Sequence, residues 1–218
     1  TPEKAEQAAD TLQTLMPAAG HMVHMPAHIY QRIGRYADAI KANQLAVAAD
    51  EDYISQCRAQ GLYPMAYYPH NIHFLWFSAT EDGQSRLAIE SSRQLASKID
   101  DETLRSLPLT AGFRMVQYYA LTRFGRWDEM LKEAAPSAQL TGATISYLQS
   151  RATALAATGK LDEAKAALAE AEDLIAATPA EATQGNNRAK PLYDIGQLKA
   201  QARIASAAPI NHRPRPIA

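Results

Sequence analysis

Gly159-Lys160-Leu161-Asp162-Glu163-Ala164 repeats, at an interval of 34 residues, the pattern of Gly125-Arg126-Trp127-Asp128-Glu129-Met130. A further copy, Gly34-Arg35-Tyr36-Ala37-Asp38-Ala39, and a degenerate one, Gly83-Gln84-Ser85-Arg86-Leu87-Ala88, lie upstream. Each glycine suits a helix end, where positive φ costs it least. The aromatic or Leu two residues later and the small residue five later are placed to pack a second helix back on the first. Apolar positions recur at helical period before each glycine, over 20–33, 67–80, 111–124 and 145–158. They do so again after it, over 36–60, 85–98, 127–139 and 161–176. The pattern predicts an all-α chain of helix pairs.

Composition agrees with helices and narrows the function. Hydrophobic residues make up 47% of the 218, with aromatics only 7%, which suits close helix packing better than a β-sandwich. A formal charge of −1 gives no reason to expect nucleic acid or an anionic membrane surface. No apolar run is long enough to span a bilayer. The single cysteine, Cys57, excludes an internal disulfide; it falls in a long second helix and is expected as a small buried hydrophobe.

The 34-residue interval and its glycine, aromatic and small-residue pattern resemble the tetratricopeptide repeat (TPR), over nearly the whole chain. The segments His-Met-Pro-Ala-His-Ile-Tyr (24–30) and His-Asn-Ile-His-Phe (70–74) also resemble an uncharacterised bacterial subgroup of such proteins, which are longer and often exported. The resemblance implies an α-solenoid of antiparallel helix pairs, a right-handed superhelix of about four irregular repeats, in one domain over 1–206. Repeats are expected at 18–64, 65–108, 109–142 and 143–178, a capping helix at 189–206, and a disordered Pro-rich tail at 207–218. Residues 1–17 read as the trailing helix of an earlier repeat, so the chain is expected to be part of a longer protein. Ser85 stands where an aromatic is usual, and the repeats are unequal in length.

Five of the six histidines fall in two clusters, His21-x-x-His24-x-x-x-His28 and His70-x-x-His73. Spacings of three and four residues set side chains on one helix face, and the first trio spans about 60° of circumference. In the resembled fold the first helices line a concave groove through their second, fifth and ninth positions. Counted back from Gly34 these are His21, His24 and His28; counted back from Gly83 they are His70, His73 and Phe77. Pro26 interrupts the first cluster: it either kinks one helix or begins a new one, leaving His21 and His24 in a loop.

Three readings are open. Converging imidazoles suit a transition metal: zinc, copper, iron or nickel. The same face could bind a peptide or polar ligand, with Arg32, Asn71, Tyr67, Tyr119 and Arg123 as further contacts. Or it could be a hydrogen-bonded packing face inside a protein-interaction scaffold. No Asp or Glu lies in either cluster, so any carboxylate that orients the ligands must come from elsewhere. Asn43 and Asn71 are candidate polar partners of the histidines, though as single residues they carry little weight. Met22 and Met25 interleave with the cluster and read as core filler more readily than as copper ligands. A metal-dependent enzyme is the least supported reading, because no His-Glu-x-x-His, nucleophile elbow, P-loop or dinucleotide fingerprint is present.

Overall fold

The computed structural model describes residues 1–59, 61–107, 110–137 and 139–207. It is mostly helical and falls into two compact units, Thr1–Phe124 and Gly125–Ala218. The division lies at the Gly125 turn, inside the segment expected as the third repeat. Among the described residues no helix is long and apolar enough to cross a membrane.

In the first unit, α1 (Glu6–Leu15), α2 (Gly20–His24), α3 (Pro26–Arg32) and α4 (Tyr36–Cys57) precede a π-helical turn at Tyr63–Tyr67. There follow α5 (Tyr68–Glu81), α6 (Ser85–Ser97), α7 (Asp101–Ser106) and α8 (Ala111–Arg123). Helices α2 and α3 pack on α4, α4 on α5, α5 on α6 and α6 on α8. Ala27, Tyr30, Ala39 and Ala42 fill the first interface, and Val47, Tyr68, Ile72, Leu95 and Val116 the next. Small residues at the crossing points let the axes approach closely. Arg35 ties α1 down, pairing with Glu6 and Asp10 at 2.8 and 3.0 Å and lying over the Tyr30 ring.

In the second unit, α9 (Trp127–Lys132), α10 (Thr141–Ala157) and α11 (Leu161–Ala177) lead to a two-residue hairpin, β1 (Thr183–Gln184) and β2 (Asn187–Arg188), and to α12 (Ala189–Ala207). Helix α10 packs against α9, α11 and α12. Its Gln149 amide donates to Tyr193 O at 2.8 Å, where Gly196 leaves room for it.

The repeat glycines do what the pattern requires. Gly34, Gly83, Gly125 and Gly159 have φ of 80°, 76°, 66° and 81°. After three of them the next N–H closes the same bond, Arg35 to Tyr30 O, Gln84 to Ala79 O and Lys160 to Leu155 O, each 2.9 Å.

Several boundaries differ from expectation. Helix α9 stops at Lys132 rather than near 139: Glu133 turns extended, at ψ 138°, and Pro136 restricts the residue before it. The added α7 starts at Asp100, whose side chain accepts Thr103 N–H at 2.7 Å. Cys57 is exposed, not buried. Residues from Glu51 onward on α4 largely face solvent, and the helix ends at Arg58 in the left-handed conformation, at φ 47°. The expected tail lies outside the described residues beyond Ala207.

One glycine is fixed by space and not by φ. A Cβ on Gly20 would lie 1.9 Å from Asp50 Oδ1 and 2.8 Å from Ala46 O. Gly20→Ala is therefore expected to cost about 2 kcal/mol or more in chemical denaturation, against about 1 kcal/mol for Gly34→Ala, where only φ is strained. Equal losses at both positions would contradict this packing.

Candidate metal centre

Pro26 neither detaches the first cluster nor disturbs its phase. It is the first residue of α3, where its missing N–H is harmless. Met25 stays right-handed helical at φ −52° and ψ −37°, and its N–H reaches His21 O at 3.1 Å. Helix α3 thus begins directly after α2, and the His21, His24 and His28 rings stay neighbours, with centroids 5.8 and 4.8 Å apart along the series. On α5, Pro69 and His70 lie in the first turn, with His73 one turn further in.

The structure brings His24, His28 and His70 together. One ring nitrogen from each lies within 4.8 Å of the others, in range of a shared metal ion. His24 is fully buried. Its ring meets His28 and His70 with centroids 4.8 Å away in each case. Phe74, one turn after His70, lies against all three imidazoles at 4.6, 4.5 and 4.7 Å between centroids. It floors the site with a surface that offers no competing donor.

The hydrogen bonds settle the His24 tautomer. Asn43 donates Nδ2–H to Ala39 O at 2.7 Å, which turns its Oδ1 toward His24. His24 Nδ1–H then donates to that oxygen at 2.7 Å, and its Nε2 is left as an acceptor, taken in the metal-free chain by His28 Nε2–H. This is how metal-bound imidazoles are usually oriented, with an amide oxygen in place of a carboxylate. His24 Nε2 lies 3.0 Å from His28 Nε2. Two nitrogens on one tetrahedral metal, each 2.0–2.1 Å from it, stand about 3.3 Å apart. Part-exposed His28 and His70 have side-chain freedom to close the wider gaps.

Electrostatics keeps the imidazoles neutral. Burial pushes His24 down to about 3, against an upward pull from the Asn43 bond, with the neighbouring histidines lowering it further. It pushes His70 down to about 4 and lowers His28, with neighbouring histidines adding to both effects. Neutral imidazole is the metal-binding form, so no net proton is released at pH 7, and His28 has only to shift its proton from Nε2 to Nδ1.

The other expected residues lie elsewhere in the first unit. Among the described residues the metal-range grouping stops at three, and His21 and His73 are outside it. His21 stacks on His24 at 5.8 Å and meets the Tyr67 ring edge at 4.9 Å. His73 packs between Trp76 and Phe113, at 5.2 and 5.0 Å, because position 73 turns toward α8 while 70 turns toward α2. Arg32 and Arg123 are exposed in the last turns of α3 and α8. Tyr119 is exposed, with its hydroxyl 3.8 Å from Met115 Sδ.

Asn71 serves a neighbouring buried group. It donates to Asp50 Oδ2 at 2.7 Å, and Tyr63 donates to Oδ1 at 2.6 Å. Asp50 is fully buried; burial raises its pKa, partly offset by these two bonds. Sequence reasoning missed Asp50, which lies on α4 far from either cluster. Its signal was weak: one acid on the stripe that also holds Asn43, Ala46 and Val47. It also missed Phe74, one helical turn from His70.

His73 gives a pH dependence of known sign. Burial lowers it to about 4, so below about pH 6.5 the unfolded chain takes a proton there that the folded chain refuses. This contribution is constant above pH 6.5 and destabilises the fold as pH falls toward 4. In metal-free protein, His73→Phe is expected to lower the proton uptake on unfolding near pH 5 by about one, read from the pH slope of stability. An unchanged slope would contradict the burial of this ring.

The chain matches no protein-family model, no curated protein and no solved structure.

Proposed function

We propose that this chain is a TPR-like helical-repeat binding protein whose histidine cluster holds a transition metal ion, with His24, His28 and His70 as ligands. The observation that carries this reading is the oriented triad: three neutral imidazoles within 4.8 Å, one of them fixed by Asn43 so that its Nε2 lone pair faces His28, whose Nε2 lies 3.0 Å away. Polar packing alone does not call for that arrangement, since an apolar trio over Phe74 would seal the same interface at lower desolvation cost. The all-nitrogen donor set suits zinc, copper, nickel or iron over magnesium or calcium. Three protein ligands leave at least one position open.

The repeat glycines with matching turns support helix pairs of the tetratricopeptide type, and a solenoid built from them belongs to the same proposal. The groove of that solenoid would take a protein or peptide partner, with Arg32, Tyr67, Tyr119 and Arg123 as the candidate contacts.

The second reading is a metal-free interaction scaffold. The exposed apolar face of α12, with Leu192, Ile195 and Leu198 at 36%, 56% and 64% exposure, favours it as a surface for a partner.

Zinc titration of chelator-stripped protein separates the two. One equivalent is expected to bind. His24→Phe and His70→Phe should abolish stoichiometric binding, and His73→Phe should retain it. Asn43→Leu, which frees His24 to rotate, should weaken binding about 10- to 100-fold. No binding by the parent chain, or equal binding by the His24→Phe and His70→Phe variants, would overturn the metal reading.

A further inference from the structure

We propose that the metal held by His24, His28 and His70 takes a small external anion, of the carboxylate or azide class, in its open position, and that His21 donates a hydrogen bond to it. This inference rests on the metal reading above. Each histidine ligates through a lone pair and contributes no charge, so a divalent ion would bring two uncompensated positive charges beside the fully buried His24. An unpaired buried charge is costly and recruits a counter-charge.

The protein does not supply that charge from the triad's surroundings. Among the described residues the metal-range grouping contains no carboxylate. The buried carboxylate nearby, Asp50, is already committed. It accepts from Tyr63 Oη at 2.6 Å and Asn71 Nδ2 at 2.7 Å and packs against the Gly20 backbone. Moving it onto the metal would break both bonds and open that contact.

His21 has the complementary need. Its Nδ1 is buried and has no hydrogen-bond partner among the described residues, although its ring stacks on His24 at 5.8 Å. Such an atom is expected to find a partner, and an anion on the metal provides one. Tyr67 meets the His21 ring edge at 4.9 Å and stacks on Tyr63 at 5.6 Å, with 38% of its surface exposed.

Cobalt(II)-loaded protein titrated with sodium azide, then with acetate, tests the proposal through the visible d–d spectrum. A saturable spectral change is expected with each anion. His21→Phe, which keeps the aromatic contact with Tyr67, should still bind one cobalt and weaken azide binding about tenfold. His21→Gln, which retains a donor, should recover part of that loss. A cobalt spectrum that neither anion alters would overturn the inference and leave the metal reading intact. Loss of cobalt itself in both His21 variants would also overturn it, by making His21 a fourth ligand. Failure of the parent chain to bind cobalt would overturn both readings.

Discussion

The hydrogen bond from His24 Nδ1–H to Asn43 Oδ1, 2.7 Å long and fully buried, is the constraint on which the candidate centre depends. It joins α2 to α4 and fixes the tautomer of the triad's fully buried imidazole. Without it, a buried histidine would face the desolvation that lowers its pKa to about 3 with no compensation. With it, His24 is a rigid neutral donor around which part-exposed His28 and His70 can adjust. Asn43 is in turn anchored on Ala39 O, so the orientation is inherited from the α4 backbone.

A second buried polar group holds the elements that carry the ligands. Asp50 takes bonds from Tyr63 and Asn71 and sits where any side chain on Gly20 would clash. It thereby couples α4 to the π-helical turn, to α5 next to His70, and to the start of α2 next to His21. Ionised, it stabilises the donors around it at the expense of its own burial, which its raised pKa records. The two networks lie one above the other on the same face of α4, with Asn43 and Asp50 two turns apart. A single helix face therefore positions both histidine clusters.

Much of this was legible in the sequence because periodicity encodes it directly. Spacings of three and four residues placed His24 and His28 on one face, and comparing the chain with itself placed His70 on a neighbouring helix at the same stage. The glycine turns followed from the one conformation only glycine adopts without cost. What was not legible depended on tertiary contact. Equal spacing could not say that His70 would turn toward α2 and His73 toward Trp76 and Phe113. Pro26 offered two outcomes by local rules, and the structure combines them: α3 begins there, yet His21 and His24 stay on a short helix, α2, packed on α4. Asp50 carried no motif, since a lone acid on a helix usually faces water. Cys57 was misjudged for the converse reason: membership of a packed helix does not bury its final turns, and α4 runs past its neighbours there.

The central claim, that three imidazoles of this fold converge on one metal ion, is tested most directly by X-ray absorption spectroscopy at the metal edge of the zinc-loaded chain. The account predicts a first shell at about 2.0–2.1 Å with outer-shell scattering that requires three imidazole rings. A shell of oxygen donors without imidazole scattering, or one with a single imidazole, would contradict it.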